Sequence, residues 1–407
     1  MHTMLKTFIV RGLAAAPFAL LALASAHAAS LLAPAAHDQV PAQLAAAPHA
    51  KMQSAALDRT PVAVSHALDA NAALDAAPTP FVAQSREFWS EVSATELRAG
   101  FAFTTSAPGA VVRISPQGGN AAALDAAGVL IRAGGRTRSA GEASTGVADA
   151  KALRSAGMAV TDGTLAFRLA ADNGSGAMQI AAPHAQGRYL VHVFEPASAL
   201  VLNLSAARDT VLSGDAIAFR VARDDGGELR LASGIVTAPD GYSADLHFTR
   251  SGDGSWHATF RSDAAHGSGP QLWEAHAFTA AANGNANVLR DAKTAFAVVA
   301  PSARFGGDAE VTRDAGGLHV ALAIDSATPS RYQVSAVLYG TGADGRLRPA
   351  ALAQSASWLA HGGAIDLGFD AQSVGVLHAP FELRDMRLID QASMGTIERR
   401  ERALVID

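Results

Sequence analysis

Cysteine is absent from all 407 residues of this chain. A thiol nucleophile, a cysteine-ligated zinc and an iron–sulfur cluster are therefore excluded, because each requires a cysteine sulfur. Disulfides are excluded as well. Any folded domain must then be stabilised by buried apolar surface, which domains of ordinary size achieve unaided even when they are exported.

Positive charge is also scarce. Lysine and arginine together number 32 against 37 acidic residues, which gives a formal net charge of −5. Proteins that bind nucleic acid need a positive field to neutralise phosphates. We therefore expect no nucleic-acid partner.

An apolar run from Leu13 through Leu23 lies near the start of the chain, after the basic residues Lys6 and Arg11. It is shorter than the roughly 20 residues that cross a bilayer, which disfavours the alternative of a retained anchor helix. Small residues follow, and this order is the signature of a secretory signal peptide. We predict a signal peptide over 1–28 with cleavage after Ala28, or after Ala26 as the alternative. The product would be periplasmic or secreted, with no integral membrane segment once the signal is removed.

Aromatic residues are missing from 30–80, where six prolines interrupt an alanine-rich background. Such a composition buries too little apolar surface to offset the entropy lost on ordering. We predict that residues 29–80 form a disordered Ala/Pro-rich linker or pro-segment.

From Phe81 onward, short runs of β-forming residues alternate with glycine, aspartate and proline, as in Ala216–Ala222 and Leu318–Ile324. Strands of this length at this spacing are typical of sandwiches. The predicted fold is all-β, with tandem immunoglobulin-like β-sandwich domains. We place an N-terminal β-sandwich domain at 81–197, an Ig-like domain at 198–301 and a C-terminal Ig-like domain at 302–407. The first domain includes one short helix near Ala148–Ala156, with Gly157 at its C-terminal cap.

Two phrases carry a resemblance to a known family. One combines residues 85–89 (SREFW) with 107–116 (APGAVVRISP), and the other is 381–395 (FELRDMRLIDQASMG). They resemble an uncharacterised family of exported bacterial proteins, a domain of unknown function with tandem Ig-like domains. The resemblance implies that architecture over most of 81–407, and it transfers no catalytic residue.

Gly340, Gly342 and Gly345 match the dinucleotide fingerprint G-x-G-x-x-G. That fingerprint binds a pyrophosphate only when a helix follows it. Here Pro349 and a further strand pattern follow, so we interpret the motif as a hairpin loop and expect no cofactor.

Histidines 247, 257, 266 and 276 recur about ten residues apart, which is the spacing of strands and not of metal ligands. Loops at Asp172–Asn173 and Asp224–Asp225 lack the ligand order of a calcium loop. We therefore assign no metal-binding residue.

Ser175 and Ser268 lie in glycine-rich turns, the second next to His266. Sequence neighbours do not make a triad, because triads assemble across a fold. We assign no catalytic residue and no cofactor-binding residue.

Two further groups have ordinary structural interpretations. The four tryptophans, Trp89, Trp256, Trp273 and Trp358, accompany predicted strands and are expected in the core. The mixed charges at 384–390 and 398–402 are expected on a solvated sheet face, with a partner-binding stripe as the alternative.

The leading functional hypothesis is an exported, non-catalytic binding or scaffolding protein that recognises an unknown protein or glycan partner through loops and sheet faces. The alternative is an accessory subunit of an exported hydrolase or peptidase, or a cryptic hydrolase. Titratable residues that converge in a deep cleft would favour the enzyme, and exposed aromatic residues would favour the binding protein.

Overall fold

The structure, a computed structural model, describes residues 25–48, 57–74, 79–267, 269–375 and 377–407. Regular structure in these residues is almost entirely β-strand, and nearly all strand pairs are antiparallel. The all-β prediction is confirmed. The immunoglobulin-like connectivity stays a prediction.

Residues before 195 contain the strands β1 (Ser25–Ser30), β2 (Val62–Ala67), β3 (Val82–Ser85), β4 (Glu87–Ser93), β5 (Phe101–Thr105), β6 (Val111–Gln117), β7 (Leu130–Ala133), β8 (Arg136–Ser139), β9 (Ser144–Asp149), β10 (Leu165–Leu169), β11 (Gly176–Ala181) and β12 (Arg188–Phe194). They are followed up to residue 299 by β13 (Leu202–Ala206), β14 (Thr210–Leu212), β15 (Ala216–Arg223), β16 (Leu229–Thr237), β17 (Ser243–Leu246), β18 (Thr249–Arg250), β19 (Trp256–Arg261), β20 (Trp273–Asn283) and β21 (Ala286–Val299). The last strands are β22 (Ala303–Asp314), β23 (Gly317–Ser326), β24 (Ser330–Thr341), β25 (Leu347–Leu359), β26 (Gly363–Asp370), β27 (His378–Asp390) and β28 (Gly395–Ile406). The helical segments are α1 (Ala94–Ala99), α2 (Ala150–Ser155), α3 (Ala371–Val374) and the 3-10 turns Ala171–Asn173 and Ala264–His266.

Buried apolar residues of the described chain form three cores. The N-terminal core lies between 88 and 193, the middle core between 200 and 300, and the C-terminal core mainly between 303 and 406. Side-chain alternation builds them: in β15, Ile217, Phe219 and Val221 are buried while their neighbours face outward. Full burial of one such side chain stabilises by roughly 1.5–3 kcal/mol.

One sheet is shared by the N-terminal and middle cores. Its strand order is β17-β16-β20-β21-β4-β12-β6-β10-β9. The two halves meet where Asp291 of β21 pairs with Glu87 of β4. The Asp291 carboxylate strengthens this junction by accepting the Trp89 backbone N–H at 2.7 Å.

Strand β3 belongs to the sheet of the middle core, because it pairs with β13 along its length. The sequence prediction placed these residues in the N-terminal domain. The chain leaves β3 and enters β4 almost directly, so two neighbouring segments of sequence join different sheets.

The predicted helix near Ala148–Ala156 is confirmed as α2, with Asp149 as its N-cap and Gly157 at a φ of 86°. Helix α1 was not predicted. Its local signal is a capping box, in which Ser93 and Glu96 each bond the other's backbone N–H.

The prediction of a disordered segment over 29–80 is wrong for its described parts. In the first part, β1 pairs with β22 from Ser25↔Arg313 to Ser30↔Asp308. Beyond it, the Leu32 N–H donates to Ala403 O at 2.9 Å, and the buried Gln39 amide donates to Thr396 O and Ile397 O.

The second part, residues 57–74, is ordered in the same way. Strand β2 pairs with β25, and the Arg331 guanidinium donates to Asp58 O and Thr60 O. Amino-acid composition wrongly predicts disorder for both parts. A strand that adds to an existing sheet edge gains backbone hydrogen bonds whatever its side chains are.

Most of the predicted signal peptide, residues 1–24, lies outside the described residues. The predicted cleavage site lies within β1, where Ala28 pairs with Glu310. Among the described helices, none has the length and apolar character that a membrane crossing requires.

Candidate functional site

The glycine motif at 340–345 lies at the end of β24 and in its turn to β25. The turn is closed by bonds from Gly342 N–H to Arg346 O and from Gly345 N–H to Gly342 O. A strand follows the motif, so no helix N-terminus faces it.

Four histidines in the described residues each contact a single carboxylate. His192 contacts Glu87 at 2.9 Å, His266 contacts Asp240 at 3.0 Å and His319 contacts Asp366 at 3.1 Å. No group of three or more potential metal ligands forms in the described parts of the chain.

The predicted acidic loops are occupied by protein donors. Asp172 receives a bidentate contact from Arg138 at 2.9 and 3.2 Å, and Asp225 receives the Arg223 guanidinium. The negative charges of Asp172 and Asp225 are therefore already compensated by arginine side chains.

Asp253, Ser255 and His257 form an arrangement that resembles part of a hydrolytic triad. Ser255 Oγ lies 2.6 Å from Asp253 Oδ1 and 2.9 Å from His257 Nε2. A hydroxyl has one proton, and the aspartate takes it, so the histidine must donate to the serine. Such a histidine cannot accept the serine proton, and the trio is no nucleophile–base pair. Of the two predicted turn serines, Ser175 is exposed before β11 and Ser268 lies outside the described residues.

The prediction that the tryptophans lie in the core holds for Trp273, which is fully buried. It holds in part for Trp256, which is partly buried against the middle core and donates its Nε1 hydrogen to Leu229 O at 3.1 Å. Trp89 is half-buried on the outer face of the shared sheet, where its ring stacks on His192 at 3.9 Å and the Arg113 guanidinium lies 4.8 Å from its centroid. Trp358 is half-buried too, beneath Arg59 at 4.3 Å. The rings of Trp89 and Trp358 are thus covered by arginine side chains and are not packed inside a core.

The predicted solvated charge face of the C-terminal core is also partly wrong. Glu398 is fully buried, with the Phe305 N–H at 2.9 Å and Arg400 at 2.6 Å, and burial raises the pKa of this carboxyl. Arg400 also donates from Nη1 to Leu32 O at 2.8 Å. Residues 25–48, which we call the N-terminal segment, thus complete a buried ion pair.

A second buried pair joins the N-terminal and middle cores. Arg290 and Glu195 are each 1% exposed and hydrogen-bonded to one another. The Ser106 hydroxyl donates to Glu195 and accepts from Arg290, and the Ser198 hydroxyl accepts from Arg290. Burial lowers the pKa of Arg290. Every group here has a partner within the protein, so we interpret the pair as structural.

The best-formed cluster of exposed aromatic and charged groups lies at one end of the middle sandwich. Loops after β14, β16 and β19 meet there around a cavity of about 520 Å³. Loop ends of sandwiches are common recognition surfaces, because a rigid scaffold positions variable loops.

Tyr242 and His266 form the wall of this loop pocket. Their rings stack at 3.9 Å with an interplanar angle of 9°, and 41% of Tyr242 is exposed. Asp240 holds both residues: one carboxylate oxygen accepts the Tyr242 N–H at 2.8 Å and the other contacts His266 Nδ1 at 3.0 Å. The Tyr242 N–H and then His266 lower the pKa of Asp240.

Trp273 forms the floor of the loop pocket. Its ring packs against Phe260 at 5.7 Å, and its Nε1 donates to Gly267 O at 2.9 Å. Gly267 has a φ of 126°, and a Cβ there would lie 2.9 Å from the Pro239 side chain. The loop that bears His266 is therefore packed against the loop that bears Tyr242.

Polar groups surround the aromatic wall. Arg261 and Asp263 line the cavity, Arg261 bonded to Gly214 O and Asp263 to the Ala265 N–H. The nearby hydroxyls are engaged with backbone, since Ser262 donates to Leu212 O and Ser213 accepts from the Ala264 N–H. The pocket thus offers a flat ring and charged hydrogen-bonding groups, and its two bonded serines leave no activated nucleophile.

Sequence models of the domain of unknown function DUF4785 match this chain twice, as its N-terminal domain over residues 53–195 and its C-terminal domain over 302–407. The chain belongs to the DUF4785 family. Both phrases that suggested a family lie within the matched ranges, so that resemblance is confirmed. The loop pocket of this DUF4785 chain lies between the two matched ranges.

A solved DUF4785 family protein from Legionella pneumophila subsp. pneumophila str. Philadelphia 1 is similar in fold, with a TM-score of 0.67 and 20% identity over 89% of this chain and 98% of that one. A tetra-tandem repeat of a large adhesion protein matches 86% of this chain and 82% of that one, at 15% identity and a TM-score of 0.21. Trypsin-activated alpha-2-macroglobulin from Escherichia coli matches 72% and 22%, at 14% identity and a TM-score of 0.21. These last two likenesses are too weak to support an argument. No curated protein matches the chain.

Sequence reasoning on this DUF4785 chain missed the loop pocket. It noted His266 only as one of four spaced histidines and as a neighbour of Ser268, and it passed over Tyr242. A signal was present, because an aromatic residue directly after an Asp-Gly turn has few ways to be buried. What the sequence does not show is that the two loops, over 20 residues apart, stack their rings.

Proposed function

We propose that the protein is an exported, non-catalytic binding protein, and that its loop pocket takes a saccharide. The observation that carries this proposal is the exposed Tyr242 ring, stacked on His266 beside an open cavity lined with charged groups.

A sugar ring fits this chemistry on two counts. Its C–H face is apolar and flat, and it can lie against the exposed face of Tyr242 while the other face stays covered by His266. Its hydroxyls can donate to Asp240 or Asp263 and accept from Arg261, all of which line or adjoin the cavity. Amphipathic aromatic residues are the usual anchors where one side of a ligand is apolar and the other is wet.

The pocket is also organised in advance of binding. Asp240 fixes Tyr242 and His266, and Trp273 and Gly267 fix the loop that carries His266. Rigid side chains lose little entropy when a ligand arrives, which favours binding.

A glycosidase is supported less well. Glycoside hydrolysis requires a carboxylic acid with a raised pKa as proton donor. The pKa of Asp240 is lowered, so this carboxyl is a poor general acid and a good hydrogen-bond acceptor.

Export is supported by the leader pattern of the sequence. Cleavage after Ala28 would remove most of β1 and would keep the contacts of Leu32 and Gln39 with β28. The mass of the mature protein from a periplasmic fraction should correspond to a chain that starts at Ala29, or at His27 for the alternative site. A cytosolic product that keeps Met1 would contradict export.

The saccharide proposal is tested by calorimetric titration with N,N′-diacetylchitobiose and cellobiose. We expect at least one of them to bind, and Tyr242→Ala to weaken it about 3- to 10-fold, since an aromatic contact contributes ~0.5–1.5 kcal/mol. Tyr242→Phe keeps the ring and should bind nearly as well as the wild type.

Phe194→Ala is the matched control, because Phe194 is an exposed aromatic residue on a strand of the N-terminal core. It should leave the affinity unchanged. Failure of both saccharides to bind, or equal binding by wild type and Tyr242→Ala, would overturn the proposal.

A further inference from the structure

A second cavity of about 500 Å³ lies where three parts of the chain meet. We call it the basic crevice. The N-terminal segment lines it with His37 and Gln39, the middle region with Arg208, and the C-terminal sheet with Arg387 and Arg399. Cavities between packed units are frequent ligand sites.

Positive charge exceeds negative charge around the basic crevice. Arg387 and Arg399 share one carboxylate, Asp385, at 2.7 and 3.1 Å. Arg208 is exposed, and no carboxylate of the described residues forms an ion pair with it. The described lining contains three arginines and one acidic residue, Asp209, and Asp385 lies beside the lining.

The same cavity has an apolar side. Phe81 is 71% exposed, far more than is usual for a phenylalanine, and it lines the crevice together with Pro80 and Ala295. An exposed aromatic residue beside the exposed guanidinium of Arg208 suits a ligand that is apolar at one end and anionic at the other.

We propose that the basic crevice binds a small organic carboxylate, with its anionic group towards Arg208 and Arg387 and its apolar part against Phe81. Arginine is well suited to this role because its planar guanidinium matches the geometry of a carboxylate. The site is independent of the loop pocket. In this proposal the N-terminal segment forms one wall of the binding site, with His37 and Gln39, and is not merely a linker.

The probe pair for the test is N-acetyl-L-phenylalanine and its neutral amide, which differ only in the anionic group. Ligand-detected NMR on the full-length mature protein should show saturable binding of the acid and little binding of the amide. Binding of the acid should weaken when salt is raised from about 0.05 M to about 0.5 M, because salt screens exposed charges.

Arg208→Gln should weaken the acid about two- to fivefold, as expected for the loss of one exposed ion pair. Arg168→Gln, at an exposed arginine of β10 far along the chain from the crevice, is the matched control and should leave the affinity unchanged. Equal binding of acid and amide, no binding of the acid, or the same affinity in the two variants would each overturn the proposal.

Discussion

Buried charges show most clearly how single residues hold this structure together. Arg290 and Glu195 lie at the contact between the N-terminal and middle cores, where neither can be hydrated. Removing one member of such a pair leaves the other unpaired in a low-dielectric environment, which costs more than the pair itself contributes. The two residues therefore act as one unit.

Glu195→Gln should lower the free energy of unfolding by about 3–5 kcal/mol, because it leaves the buried Arg290 charge without its counter-ion. Urea denaturation of the variant measures this loss. The exposed pair Glu274–Lys293, at 2.8 Å, is the control, and Glu274→Gln should cost less than about 1 kcal/mol. Equal costs for the two variants would show that burial does not set the strength of the Arg290 pair.

Tyr332 makes the stability of the C-terminal core depend on pH in the alkaline range. Burial raises the pKa of its hydroxyl from 10.0 to about 12, and the hydroxyl donates to Thr328 O at 2.7 Å. The folded state thus holds this proton more tightly than the unfolded state. Its contribution to stability is fully present below pH 10 and is lost as the pH rises through about 12.

Tyr332→Phe should therefore cost about 1 kcal/mol near pH 7, where one hydrogen bond is lost. It should also make the decline in stability between about pH 10 and 12 shallower than in the wild type. Denaturation midpoints across this range measure both effects. An unchanged alkaline decline would mean that Tyr332 does not titrate with folding.

The N-terminal segment, which the sequence predicted to be disordered, is docked on the C-terminal core. Its backbone bonds reach β22 and β28, and Leu32 O satisfies the buried Arg400. Gln39 is its best-buried polar anchor, with two carbonyl acceptors on β28.

Gln39→Ala should release this segment and destabilise the C-terminal core by about 1–3 kcal/mol, since the carbonyls of Thr396 and Ile397 lose a donor. Hydrogen exchange should become faster at residues 31–40 and at β28. Asn71→Ala is the control, because Asn71 is an exposed partner of Arg348 and should have little effect. If the exchange rates of residues 31–40 already matched those of an unfolded chain in the wild type, the segment would not be docked.

Elements differ in how far the sequence reveals them. Strands such as β15 and β23 are evident because alternate side chains enter a core. Strands β1 and β2 are not evident, because their order comes from backbone pairing with edges that lie hundreds of residues away. Helix α1 was detectable from its Ser93–Glu96 capping box alone.

At the scale of the whole molecule, the shared sheet and the N-terminal segment connect the three cores. The shared sheet passes from the middle core to the N-terminal core at Glu87 and Asp291, and the segment lies along the C-terminal core with Ala47 against the middle core. The basic crevice depends on this assembly, whereas the loop pocket is built from loops of the middle core alone. Neither could be predicted from the sequence, because their residues converge only when distant loops and segments are placed together.

The most direct test of the central claim uses the indole N–H resonances of the four tryptophans. Trp273 forms the floor of the loop pocket, whereas Trp89 and Trp358 lie on sheet faces outside its lining. During titration of ¹⁵N-tryptophan-labelled protein with the saccharide that binds, the account predicts a saturable shift of the Trp273 resonance with Trp89 and Trp358 unmoved. A Trp273 resonance that stays in place while the saccharide binds, or shifts confined to Trp89 or Trp358, would contradict it.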